Sequence, residues 1–144
     1  MKTFKYIFII FILSSCVEDP LGDSTYTTIT NKSGHSIELQ EYIGGAYRTS
    51  TFIDNNKSKE FNLTSGDPGD PTGPFIRPLT SADSIRVIYF EKASIWHTKD
   101  ENSPVSRSLM LESSYEGGKT GDKKYEFTYT FTPEDYEEAL KFGE

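Results

Sequence analysis

Imidazole bases and thiol nucleophiles are scarce in this sequence: its histidines are His35 and His97, and its single cysteine is Cys16. Nucleophilic hydrolysis needs a nucleophile held by a base that a third group orients, and no serine here stands in a GxSxG elbow. The two histidines lie in unrelated segments, while zinc wants three or four convergent ligands. Each histidine is therefore expected to flank a turn or face solvent. One cysteine excludes an intramolecular disulfide framework. Carboxylates abound, with 22 Asp and Glu, but no spacing selects the pair that glycoside hydrolysis uses. A chain of this length also has little room for a cleft that surrounds a sugar chain and fixes two acids. Asp67 and Asp70 could offer oxygens to calcium, yet they lack the alternating ligands and terminal Glu of a calcium hand. Their simpler role is to bond nearby backbone N–H groups in a turn. The expectation is a protein that is not an enzyme and uses no cofactor.

Binding chemistry is better supplied, because 14% of the residues are aromatic. Sugar-binding sandwiches commonly use exposed rings as flat platforms for the apolar faces of pyranoses, with amide and carboxylate groups meeting the hydroxyls. Trp96, Tyr42, Tyr47 and Tyr115 are the candidates for such a platform. Their competing role is core or rim packing, which aromatics in β proteins usually serve. With 15 Lys and Arg and a net charge of −7, a nucleic-acid partner is not expected, since scarce cations would have to gather on one face against the field of the whole chain.

The amino terminus reads as an address. Lys2 and Lys5 precede an apolar run from Tyr6 to Leu13, followed by Ser14, Ser15 and Cys16, the order of an export signal. The run is far shorter than the ~20 residues a membrane-crossing helix needs. Leu13, Ser14, Ser15 and Cys16 resemble the lipobox of bacterial lipoproteins. That resemblance implies diacylglycerol on the Cys16 thiol, cleavage before it, and acylation of the new amino group. Residues 1–15 are then a signal peptide and 16–23 a lipidated acidic tether. Losing Lys2 and Lys5 makes the mature chain more acidic still. Two or three acyl chains, at about 0.8 kcal/mol per buried methylene, hold a protein on a membrane where one would exchange. Glu18 and Asp19, after Val17, resemble the surface-export signal of lipoproteins from Bacteroidetes, which implies display on the outer face of the outer membrane. The same acids also suit a solvated tether.

From residue 24 onward, short stretches rich in Thr, Ile, Val, Tyr and Phe alternate with Gly, Pro, Asn and Asp clusters, the β pattern. Strands are expected over 24–30, 35–43, 46–53, 59–63, 84–91, 93–98, 107–115 and 124–131. In 35–43, Ile37, Leu39 and Ile43 share one face while Glu38, Gln40 and Tyr42 share the other. Residues 84–91 are apolar on both faces and are expected to lie centrally. In 124–131, Tyr125, Phe127, Tyr129 and Phe131 share a face. Residues 65–74, with three prolines and three glycines, form a loop, as do 99–106. Gly117, Gly118 and Gly121 are expected to close a turn. Thr132 as cap, Pro133 as first helical residue and Glu134 and Asp135 at the positive dipole end start a helix over 133–142. Tyr136, Ala139 and Leu140 would dock it on the sheet, since about ten residues are marginal as a free helix.

Residues 24–144 thus predict one all-β domain: an antiparallel sandwich of immunoglobulin-like or transthyretin-like shape, with 7–8 strands and a short C-terminal helix. The run YEFTYTFTPEDYEEAL, with the earlier ADSIRVIYF, resembles the closing part of small β-sandwich lipoproteins of Bacteroidetes whose function is unknown. It implies fold and location, not an activity. Asp23-Ser24-Thr25 and Asp83-Ser84-Ile85 resemble the three-residue O-glycosylation acceptor of the same group, with Ser24, expected to be exposed beside the tether, and Ser84 as acceptors. The expected function is a non-catalytic cell-surface lipoprotein, a binding or accessory module of the outer membrane with a glycan or surface-protein partner. A glycan-binding module for polysaccharide capture is the alternative, and a small hydrolase a more distant one.

Overall fold

The computed structural model describes residues 24–64, 82–90, 92–100 and 104–143. The expectations for 1–23, including Cys16, Glu18 and Asp19, and for Asp67 and Asp70 lie outside these residues. Among the described residues eight strands run in chain order as β1 (Ser24–Asn31), β2 (Ile37–Ile43), β3 (Ala46–Ile53), β4 (Ser58–Thr64), β5 (Ser84–Tyr89), β6 (Ala93–Thr98), β7 (Glu116–Gly121) and β8 (Lys124–Phe131), followed by the helix α1 (Pro133–Phe142). They form two four-stranded sheets, β4-β1-β8-β7 and β3-β2-β5-β6. The molecule is an all-β sandwich. All described pairings are antiparallel except one: β1 runs parallel to β8, from Ser24 opposite Lys124 to Asn31 opposite Phe131.

Alternation decides the core. Ile29 from β1, Ile37 and Leu39 from β2, Ile85 and Val87 from β5, and Tyr129 and Phe131 from β8 are all fully buried between the sheets, because odd and even positions of a strand face opposite ways. Gly44 and Gly45, at φ 58° and 76°, make the tight hairpin turn between β2 and β3 in a conformation that costs other residues more. The Asp83 carboxylate accepts the Gly44 N–H, and the Asp83 N–H donates to Tyr42 O at 3.0 Å. The chain crosses from one sheet to the other between β3 and β4. Asn31, fully buried, fastens that corner: its Nδ2 donates to His35 O at 2.7 Å and to Ile53 O at 2.9 Å, and its Oδ1 accepts from Ser33 N and Oγ.

Two segments differ from expectation. Residues 107–115 are not a strand but bends and a 3-10 turn at Glu112–Ser114. Side chains take the backbone groups that a ladder would have used: Leu109 N–H donates to His97 Nδ1 at 3.1 Å, and Met110 N–H to Ser108 Oγ at 3.1 Å. Leu109 is nevertheless fully buried and Leu111 half-buried. Conversely, the glycines expected to close a turn belong to the edge strand β7, and the reversal falls at Asp122 and Lys123, the latter at φ 53°. A Cβ at Gly117 would collide with the Glu126 carbonyl; glycine here permits close approach of backbones within a strand.

Thr132 caps α1 as its sequence requires. Its N–H donates to Asp135 Oδ2 at 2.7 Å and its hydroxyl to the same oxygen at 3.1 Å, and Asp135 also accepts from Arg107. Tyr136 packs between His35 and Tyr89, with ring centroids 4.1 Å and 5.4 Å away, and Ala139 is buried. Leu140 does not join them and is 49% exposed. The helix lies beside β6, an edge strand, with Ala139 in the core cluster and Leu140 at its rim. A Cβ at Gly143 would strike the Ser94 carbonyl, so the helix ends tightly against that edge.

Candidate functional site

The two outward faces of the sandwich differ in chemistry. On the β4-β1-β8-β7 sheet the outward residues of the central strands are Tyr26, Thr28 and Thr30 of β1 and Lys124, Glu126, Thr128 and Thr130 of β8, an ordinary solvated surface. The outward face of β3-β2-β5-β6 is aromatic at both ends.

At one end three of the four rings singled out from the sequence come together. Tyr42 of β2 lies 5.9 Å from Tyr47 of β3 and 4.8 Å from Trp96 of β6, both edge-on. Tyr47 is 54% exposed, whereas Tyr42 and Trp96 are half-buried. The Arg86 guanidinium stands 5.8 Å over the Trp96 ring and is held by Ser94 Oγ, which accepts from Nε at 3.1 Å and Nη2 at 2.9 Å. Polar groups continue along β2: Tyr42 Oη donates to Gln40 Oε1 at 3.1 Å, and Gln40 Nε2 to Glu38 Oε1 at 3.2 Å. Asp83 positions this end through the hairpin turn. Its carboxyl is held below the usual carboxylate range, first by the Gly44 amide and then by the Ser84 hydroxyl.

The other end was not foreseen from the sequence. Phe52 of β3 and Phe90, just beyond β5, are 59% and 44% exposed with centroids 5.9 Å apart. They line an open groove of about 360 Å³ with His35, Ser36, Ile37 and Asp54, in which Ser36 Oγ donates to Asp54 Oδ1 at 3.2 Å. The signal existed in the alternation of 46–53 and 84–91, which puts Phe52 and Phe90 on the outward parity. Only strand pairing shows that the two are neighbours.

The remaining candidates are dispersed. Tyr115 leaves the platform and packs on the core, 5.4 Å from Tyr129, with its hydroxyl donating to Leu109 O at 2.9 Å. His97 is not solvent-facing: it is 3% exposed, and burial, aided by the Arg107 charge, pushes its imidazole down to about 3. His35 is half-buried against Tyr136 and lines the Phe52 groove rather than the Trp96 end. Ser24 opens β1 and Ser84 opens β5, both half-buried, so Ser24 is less open than a tether position. Among the described residues no three His, Cys, Asp or Glu side chains converge as metal ligands, and no helix is long and apolar enough to cross a membrane.

This arrangement gives rings flanked by amide, hydroxyl, carboxylate and guanidinium groups on a rigid sheet. Apolar faces can stack there while hydroxyls find donors and acceptors. No protein-family model matches the chain, and no curated protein matches it in sequence.

Proposed function

We propose that this chain is a non-catalytic lipoprotein of the bacterial cell envelope, of the Bacteroidetes surface type, whose sandwich is a binding module with carbohydrate as its ligand. Lipid on Cys16 anchors it in the outer membrane, and Glu18 and Asp19 direct it to the cell surface. The observation that supports the carbohydrate reading is the meeting of Tyr42, Trp96 and Tyr47 on one outward face beside Gln40 and Arg86. Burying one face of a sugar on such rings contributes about 25 cal/mol per Å² of apolar area, and the neighbouring polar groups supply orientation. A surface-protein partner is the competing reading, and the hydrogen-bonding strip along β2 favours sugar over an apolar protein contact.

The test is binding of the full-length chain, purified from its own membranes in detergent, to an array of glycans. Binding lost on Trp96→Ala with the thermal unfolding transition retained supports the reading, and failure to bind any glycan removes it. The anchor is tested separately. Cys16→Ala is expected to release the protein from membranes and end palmitate labelling, whereas unchanged labelling refutes lipidation. Replacing Glu18 and Asp19 by Ala is expected to keep the lipid and reduce protease access on intact cells.

A further inference from the structure

We infer that the outward face of β3-β2-β5-β6 takes a linear run of several uncharged sugar units, with its second contact at Phe52 and Phe90. This inference rests on the carbohydrate reading and extends it from a patch to a track. Phe52 is paired with Glu38, and Tyr47 with Tyr42. Glu38 and Tyr42 are four positions apart on β2, so at about 3.3 Å per residue the two aromatic ends are separated by about 13 Å, more than one sugar ring spans. The interval is polar and continuous, because Tyr42, Gln40 and Glu38 bond one another in single file. An extended ligand lying along β2 would rest on rings at both ends and meet hydrogen-bonding groups between them.

Charge selects the class of sugar. Glu38 and Asp54 border the track, Arg86 sets a positive charge beside Trp96, and the whole chain carries a net charge of −7. A uronic-acid or sulfated chain would be repelled by this field. An uncharged chain would not. The polar interval also distinguishes the occupant from an apolar protein segment, which would desolvate the Glu38 carboxylate with only the Gln40 amide to bond it.

The experiment uses the full-length protein and an array of neutral, amino and acidic oligosaccharides, each as a length series. The expected result is affinity for an uncharged series that rises with length by about tenfold, weaker binding of polygalacturonate, and loss of the length-dependent gain in a Phe52→Ala, Phe90→Ala double variant. A Phe52→Tyr, Phe90→Tyr variant, which keeps both rings, is expected to retain the gain. If affinity is independent of length, or the double Ala variant changes nothing while Trp96→Ala still abolishes binding, the extended track is wrong and the carbohydrate reading survives. If no glycan binds at all, both fall. Self-association in sedimentation that disappears in the double Ala variant would assign the phenylalanines to a dimer contact and overturn the inference.

Discussion

Tyr42 and Trp96 touch edge to face, 4.8 Å between ring centroids at 61°, although β5 lies between their strands. The contact passes over β5, where Ser84 faces Tyr42 and Arg86 faces Trp96. A small residue beside a long one leaves space for two rings to lean together, and Arg86 closes the far side. Such tilted pairs are favourable because the positive edge of one ring meets the negative face of another. The ring cluster is thus held by the sheet rather than by a loop.

Asp83 sits at the root of this cluster, and its removal is expected to act on binding more than on folding. Asp83→Ala frees the Gly44 amide and loosens the turn between Tyr42 and Tyr47. Carbohydrate affinity is expected to fall about fivefold through lost preorganisation, with the thermal midpoint little changed. Titration of the variant against the same array checks this, and unchanged affinity would show that the hairpin needs no clamp.

Asn31 is a polar residue that the core cannot spare. Asn31→Ala takes the amide donor from the Ile53 carbonyl and the acceptor from the Ser33 N–H in a buried corner, leaving the Ser33 hydroxyl and the His35 carbonyl to bond each other. A loss of about 2–3 kcal/mol is expected in urea unfolding. Asn31→Asp should do no better, because it sets a carboxylate against two carbonyl oxygens. The corner also shapes the wall of the Phe52 groove, so ligands that need the groove should weaken as well.

Acid should destabilise the fold through His97. Its imidazole titrates at about 3 when folded against 6.5 for the ordinary group, so between these values the unfolded chain binds the extra proton and stability falls as pH falls. The contribution is intact above pH 6.5. About 2 kcal/mol is expected to be lost between pH 7 and pH 4.5. Glu41, whose carboxyl is raised by burial above 4.5, acts in the opposite sense: its contribution is complete below 4.5 and is lost as pH rises through its raised value. Urea midpoints against pH should therefore flatten in His97→Asn, which keeps an acceptor for the Leu109 amide, and steepen in Glu41→Gln.

The hydroxyl of Tyr89 is buried without a hydrogen-bond partner among the described residues, and burial pushes its phenol well above the ordinary range. Tyr89→Phe keeps the ring contacts with Phe131 and Tyr136 and removes the desolvated oxygen. The expected outcome is a gain of about 1 kcal/mol in urea unfolding. A loss of similar size would mean that the oxygen is satisfied after all.

Most strands were legible because one face of each is buried and the period of two is then written into residue type. β2 and β8 show this, and the cap of α1 was readable from Thr132 and Pro133 because a helix start has local requirements. The segment 107–115 misled because Leu109 and Leu111 mimic a strand period, while the side chains of the distant His97 and of its own Ser108 take the N–H groups that a ladder would use. β7 was hidden by its glycines, which serve a close approach to β8 that no local pattern announces. Leu140 misled in the same way, since helical spacing shows which side is apolar but not whether anything covers it.

For the candidate site the division is similar. Residue types and alternation alone determined that Tyr42 and Gln40 share a face and that aromatic residues are plentiful enough to serve binding. The tertiary structure decided that Trp96 joins Tyr42 and Tyr115 does not, that His97 is core, and that Phe52 meets Phe90. Alternation is a local property, set by the geometry of one strand. Neighbourhood between strands depends on which sheets form and in what register, and that is settled only when the whole core closes.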